Sequence, residues 1–319
     1  MFGLGGCFAA EPTAAPQRTP AASRQSPAEA ARTLATLRRV DDLPLYAMTY
    51  EGAYDRLTNV AVPPAPSPFG CSLFVASGDA AHPLFGRNFD WEPHAALVLT
   101  TRPPDGYASM SIVDISYLGF DADQDPTGDR RLLDAPLLPF DGMNERGLAV
   151  GLAADESARA DTDPARPTVG GVRILRLVLD QASTVDEAVA LVRRYNLDFD
   201  GGPPLHYLFA DAGGASAVVE FVDGRLVVVP GGPPWQALTN FRLAGSDAAT
   251  RADDRRYATA AGRLQRTGGT LDWSTALDLL RNVAQPHTRW SVTYELRTRV
   301  AHVVTDQKWD RVHEFSLAG

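Results

Sequence analysis

Lysine is nearly absent from this chain: of 30 basic residues only Lys308 is a lysine, and no cluster of the arginines forms a stripe. With 39 acidic residues the net charge is −9, so the basic footprint that nucleic-acid binding requires is missing and that partner class is excluded. Cysteine is scarce too. Cys7 and Cys71 are the whole complement, which rules out a disulfide-rich scaffold and a paired CxxC zinc site. No apolar run approaches the roughly 18 residues of a membrane-spanning helix. The six histidines (His82, His94, His206, His287, His302 and His313) show neither HExxH nor any other close ligand spacing. GxSxG does not occur, and Gly3-Leu4-Gly5-Gly6 follows no strand and opens no helix. Metal, serine-nucleophile and phosphate-loop chemistry therefore lack support, and no metal or cofactor is expected.

What is present is ordinary globular material. At 319 residues, 45% hydrophobic and 22% charged, the chain can bury a core without staples, as one large domain or two small ones. Residues 1–70 are charge-balanced, so the net charge lies in 71–319. The first 26 residues are low-complexity and read as disordered. Within them Leu4-Gly5-Gly6-Cys7 resembles a bacterial lipobox, in which Cys7 is lipidated. Only Met1-Phe2-Gly3 precede it, without a charged or apolar leader. An exported lipoprotein is expected if an upstream signal exists, and a cytoplasmic protein otherwise.

Ser26 before Pro27-Ala28-Glu29 is a helix start, with an 11-residue run over Ala30–Val40 expected to be helical. The cluster Pro63-Pro64-Ala65-Pro66-Ser67-Pro68 can be neither helix nor central strand, and marks a boundary before Phe69-Gly70-Cys71. Beyond it the texture becomes strand and turn. Cys71–Ser77 and Pro83–Phe89 read as a hairpin, followed by strands over Ala95–Thr101 and Tyr107–Val113. Ser216–Asp223 and Arg225–Val229 flank Asp223-Gly224, a strong hairpin signal. Trp290–Leu296 and Val300–Val304 form a last pair. Helices are expected over Val172–Gln181, from the capping box Thr184-Val185-Asp186-Glu187 to about Tyr195, over Ala248–Arg266 and over Trp273–Val283. Strands in hairpins and helices in pairs indicate α+β with antiparallel sheet.

Cys71 is the residue with chemical potential. It follows Gly70 and opens a strand whose return partner carries Arg87 and Asp90. The hairpin brings both beside Cys71, where a guanidinium favours a thiolate and a carboxylate can hold an amine or the guanidinium. The alternatives are a buried structural cysteine and a surface ion pair at the hairpin mouth. Pairing of Cys71 with Cys7 would tie it to a disordered tail.

These residues carry a resemblance. Cys71-Ser72-Leu73-Phe74 followed by Gly86-Arg87-Asn88-Phe89-Asp90-Trp91 resembles the N-terminal nucleophile (Ntn) cysteine hydrolases: choloylglycine hydrolases, penicillin V acylases, acid-ceramidase-like amidases and autoproteolytic acyltransferases. Asp141-Gly142-Met143-Asn144-Glu145-Arg146-Gly147-Leu148 resembles their central segment. His206–Asp211 with Ser216–Phe221, Leu238-Thr239-Asn240-Phe241 and Arg256-Tyr257 resemble later ones. The ordered matches cover most of 71–319.

The resemblance implies a four-layer αββα sandwich of two antiparallel sheets, with residues 1–70 as tail and propeptide and 71–319 as the hydrolase domain. It implies cleavage between Gly70 and Cys71, freeing an α-amine that acts as base for the thiol. Its reference pKa, about 7.7–8.0, is far nearer neutrality than that of lysine. Asp90 would orient this amine, and Arg87 would stabilise the thiolate and help hold substrate. Asn240 would give one oxyanion donor and the Ala153 backbone N–H the other. Ala153 replaces the asparagine of the bile-salt branch, which weakens that assignment in particular. The late arginine is Arg256, with Arg255 adjacent. The short interval from Asn240 to Arg256 is nearer the acid-ceramidase-like members. Asn144 and Glu145 read as a structural turn, and Phe89, Trp91 and Tyr207 as core side chains or pocket walls.

The expected partner is a small linear amide with a hydrophobic acyl group, with homo-oligomers common in the family and a membrane reached only through a lipid anchor. An acyltransferase using the same residues, and a catalytically silent tethered binding domain, are the alternatives.

Overall fold

The computed structural model describes residues 21–42, 44–58, 70–160, 162–199, 202–232 and 234–317. Cys7 and the proline cluster over 63–68 lie outside the described residues.

Helix α1 (Pro27–Ala35) begins as expected, with Ser26 and Glu29 forming a capping box and Pro27 in the first turn. It stops short of the expected Val40. The Thr36 hydroxyl donates to the Thr33 and Thr49 carbonyls and accepts from Thr49 N–H, which turns the chain onto the sheet. Strands β1 (Arg38–Asp41) and β2 (Leu45–Tyr50) follow. Next come β3 (Gly70–Ala76), β4 (Leu84–Asp90), β5 (Ala96–Thr101) and β6 (Ser109–Asp114). β7 (Asp141–Asn144) and β8 (Ala149–Ala154) flank a turn at Gly147, whose φ is +77°. β9 (Thr168–Gly170) and β10 (Asn196–Asp198) form a small parallel pair. The series continues with β11 (Leu205–Ala210), β12 (Ser216–Val222), β13 (Arg225–Pro230) and β14 (Trp235–Leu238). It ends with β15 (Thr288–Glu295), β16 (Val300–Thr305) and β17 (His313–Ser316). The Asp223-Gly224 turn has φ of 49° and 77°, the left-handed pair that a two-residue hairpin demands.

One sheet has nine strands in the order β1-β2-β5-β6-β7-β8-β11-β12-β13, and the other six in the order β14-β3-β4-β15-β16-β17. All pairs in both are antiparallel except β2 with β5. The sheets meet through β3 against β8 and β11, and β12 against β14. A Cβ on Gly151 would come within 2.6 Å of the Leu73 side chain, so glycine there permits the close approach of the two sheets.

Helices α2 (Ile174–Gln181) and α3 (Val185–Val192) cover the nine-stranded sheet, while α5 (Arg255–Arg266) and α6 (Trp273–Asn282) cover the other. The result is the four-layer αββα arrangement. Glu187 reaches Ser183 rather than Thr184, so only half of the expected box forms at α3. The helix expected over 248–266 is two, because Asp254 is extended between α4 (Ala248–Asp253) and α5. Its carboxylate accepts from Tyr257 N–H at 2.8 Å.

The described part of 1–70 is docked on the body. β2 pairs with β5 along its whole length. Asp134 accepts from Ala22 N–H at 2.9 Å, and Arg56 binds Asp180 and Asp105 at 2.6 Å each. Buried Tyr54 donates to Asp180.

Candidate active site

The β3–β4 register explains how residues far apart in sequence meet. Gly70 faces Asp90, Cys71 faces Phe89 and Leu73 faces Arg87. Arg87 lies on the same face as Cys71 and diagonal to it, with Nη2 3.3 Å from Sγ. Both side chains are fully buried. Arg87 is held from behind: Nη1 donates to Asp141 Oδ2 at 2.7 Å and also to the Phe140 carbonyl. Asp141 accepts in addition from Trp290 Nε1 at 2.9 Å and Tyr294 Oη at 2.5 Å. Phe89 stacks on Trp290 with ring centroids 4.1 Å apart, and the guanidinium lies 5.0 Å from the Phe89 ring.

Burial pushes the Cys71 thiol up to about 11, against the opposing pull of Arg87. Burial likewise raises Asp141 and Asp90 above the ordinary carboxylate range. For Arg87, burial alone would lower the pKa, but the Cys71 and Asp141 charges prevail and raise it.

Asp90 accepts from the Thr288 hydroxyl through Oδ1 at 2.6 Å, while Oδ2 has no hydrogen-bond partner. That oxygen faces Gly70, where an added Cβ would stand 2.9 Å from it. Glycine at 70 is thus required by the approach of Asp90 as well as by any attack of the thiol on its carbonyl.

Asn240, just past β14, accepts from Cys71 N–H at 2.7 Å and from Arg256 Nη2 at 2.9 Å. Its Nδ2 donates to the Ala154 carbonyl at 2.9 Å. Arg256 in the first turn of α5 donates to the Cys71 carbonyl at 2.6 Å and lies 3.6 Å from Asp90 Oδ2. Arg255 is exposed, so Arg256 is the arginine that reaches the site. The structure therefore brings together Cys71, Arg87, Asp90, Asn240 and Arg256.

Ala153 lies within the β8–β11 ladder, opposite His206. Asp155 N–H donates to the Pro204 carbonyl, so in the alternating ladder Ala153 also turns its N–H and carbonyl into β11. Ala154 turns both the other way, toward Asn240.

The sequence reading gave no role to several of the partners seen here. Asp141, Trp290, Tyr294 and Thr288 brace Arg87 and Asp90. His206 and Glu220 hold the loop that carries Asn240: His206 Nε2 meets the Thr239 carbonyl at 2.8 Å. Glu220 accepts from Leu243 and Ala244 N–H at 2.7 Å each. Asn144 binds the Leu179 and Ala182 carbonyls and the turn amides of Arg146 and Leu148, the structural role expected of it. Phe89, Trp91 and Tyr207 are buried core residues; Tyr207 Oη is tied to the Gly171 carbonyl.

A cavity of about 500 Å³ opens at the end of β3, with Gly70, Ala154, Asp155, Asn240, Arg256 and His287 in its wall. No helix among the described residues is long and apolar enough to cross a membrane.

Known proteins resemble the chain in sequence and in fold. The profile of the linear amide C-N hydrolases, choloylglycine hydrolase family, matches residues 71–240, just over half of the chain. A penicillin V acylase from Pectobacterium atrosepticum is 31% identical over 99 residues, 28% of this chain and 26% of that protein. The aligned stretch thus spans about a quarter of the curated relative's length. Among solved structures, penicillin V acylase from Agrobacterium tumefaciens superposes with a TM-score of 0.57 at 20% identity, over 77% of this chain and 86% of that one. A mutant of conjugated bile acid hydrolase from Clostridium perfringens gives 0.57 at 16% identity, over 78% and 92%. Both are likenesses of fold.

Proposed function

Because the chain belongs to the linear amide C-N hydrolases of the choloylglycine hydrolase family, we propose that it is a self-processing cysteine hydrolase of small linear amides. The observation that carries the reading is the pair of contacts on Cys71: Arg87 at Sγ, 3.3 Å away, and Asn240 at the backbone nitrogen, 2.7 Å away. A structural cysteine needs neither.

In maturation the Cys71 thiol attacks the Gly70 carbonyl carbon, the 70–71 C–N bond breaks and the nitrogen takes a proton. Water then hydrolyses the thioester, releasing a Gly70 carboxylate and regenerating the thiol. Residues 1–70 become a separate piece. The new α-amine, near Asn240 Oδ1 and within reach of Asp90, replaces an amide that could not act as base.

In turnover that amine takes the thiol proton and the thiolate attacks the substrate carbonyl. Charge on the carbonyl oxygen is met by Asn240 Nδ2 and Ala154 N–H; losing one such donor typically slows acyl transfer by about 100- to 1,000-fold. The α-ammonium returns its proton to the departing amine. Water, activated by the same amine, clears the thioester. The names of the relatives, a penicillin V acylase and a conjugated bile acid hydrolase, favour substrates with a bulky hydrophobic acyl group.

Intact mass and N-terminal sequencing of the full chain beside Cys71→Ala test this reading. Cleavage before Cys71 is expected in the wild type and not in the variant, followed by turnover in an amide screen. A wild-type chain that stays whole across Gly70-Cys71 would sink it and leave a binding domain.

A further inference from the structure

Under the Asn240 loop lies a cluster that bond-making does not use. A carboxylate oxygen of Asp155, a ring nitrogen of His206 and a carboxylate oxygen of Glu220 all lie within 4.8 Å of one another. The residues are 2%, 0% and 0% exposed. They come from the end of β8, from β11 and from β12, neighbouring strands of one sheet. His206 faces Ala153, and Glu220 follows one step beyond the Tyr207–Val219 pair, so all three share the face toward the second sheet.

Each partner is accounted for save one atom. Glu220 has an amide on each oxygen. Burial would raise its carboxyl, but the His206 contact and those amides prevail and hold it below the usual range. Asp155 Oδ1 accepts from Ser157 N–H at 3.0 Å and Oγ at 2.7 Å, whereas Oδ2 has no hydrogen-bond partner. An orphaned carboxylate oxygen at this depth requires a cause.

The imidazole narrows it. Nε2 faces the Thr239 carbonyl and therefore carries a hydrogen, which turns Nδ1 to Glu220 Oε1 at 3.2 Å. A charge-assisted N–H···O bond would be nearer to about 2.7–2.9 Å. Two ligand atoms held at about 2.0–2.1 Å by one ion stand about 3.0–3.4 Å apart. A histidine whose second ring nitrogen is fixed by a backbone carbonyl is also the usual arrangement at metal centres.

We propose that Asp155, His206 Nδ1 and Glu220 form a binding site for one divalent transition-metal ion, its open positions facing the cavity that Asp155 lines. One imidazole with two carboxylates suits zinc or manganese better than the all-oxygen preference of calcium or magnesium. The ion acts as a brace: through His206 and the Thr239 carbonyl it fixes the residue next to Asn240. Such a site would correct the expectation of no metal, which rested on spacing within one segment; these ligands are adjacent only across strands.

The test uses the full chain, stripped with chelator and titrated with zinc chloride by calorimetry. Asp155→Asn is run beside it, with His82→Gln as a control for the exposed His82–Asp79 pair. The wild type and His82→Gln are expected to bind one equivalent and to gain thermal stability, and Asp155→Asn to lose at least about tenfold in affinity. Cobalt(II) on the wild type gives a second readout that needs no variant: visible absorption bands at one equivalent. No saturable zinc binding, no cobalt bands, or an Asp155→Asn titration like that of the wild type would each overturn the proposal and leave a histidine–carboxylate hydrogen bond.

Discussion

Arg87 stands between two acidic groups of different kinds, a thiol that ionises reluctantly and a carboxylate that cannot leave. Asp141 is its counter-charge in the interior, with both side chains fully buried. Asp141→Asn keeps the shape and removes the charge, so the guanidinium is left buried and uncompensated. A loss of roughly 3–5 kcal/mol is expected, measured by urea unfolding of the uncleaved Cys71→Ala background. A second outcome concerns acid. Glu220 has a folded pKa below its ordinary value, so its stabilisation is present above that ordinary value and disappears as pH falls through the lower one. The stability gap between the wild type and Glu220→Gln should therefore narrow from pH 7 to pH 3, read from unfolding midpoints at the two pH values. At this scale Cys71, Arg87, Asp90, Asn240 and Arg256 were legible because each sits in a short run with its own pattern. Asp141 was visible as part of a motif, but its bond to Arg87 was not, since Trp290 and Tyr294, which complete it, lie some 150 residues further on.

The break before α5 gives the late arginine its aim. A continuous helix over 248–266 would carry Arg256 in its middle; the extended Asp254 restarts the helix and places Arg256 at its open end. Asp254→Ala removes the cap and should cost about 0.5–2 kcal/mol. It should also slow processing, because Arg256 loses the turn that points it at the Cys71 carbonyl. Thermal unfolding and the rate of precursor loss on gels check the two parts separately. The hairpins were readable from alternation and from Asp223-Gly224. The helix break was not, because Asp254 lies in a charged run, Ala252-Asp253-Asp254-Arg255, that fits a helix surface as well as a cap. Strands β1 and β2 escaped for another reason: they pair with each other as a short hairpin, but Arg38–Val40 continue a helical run in sequence, and β2 meets the rest of its sheet only at β5, beyond residue 95.

For the whole molecule the telling fact is the position of β2, in the middle of the β1-β2-β5 edge of the nine-stranded sheet. The sequence reading places a boundary at Gly70; in space the described residues before it are built into the sandwich. A cut at Gly70-Cys71 would therefore leave two chains sharing one sheet. Gel filtration under native conditions should show them eluting together, while denaturing electrophoresis shows two bands.

The parallel ladder of β2 on β5 also changes what unfolding would mean. In the intact precursor the tether keeps β2 at an effective concentration near the millimolar range, so refolding is a first-order event indifferent to dilution. Once the peptide bond is gone, the same ladder has to be rebuilt by collision between separate partners. The mature protein should then regain its structure at a rate set by its own concentration, and fail to do so when dilute. Cleavage at the nucleophile would act as a ratchet: the molecule folds easily once, as a single chain, and is afterwards held together chiefly by the slowness of coming apart.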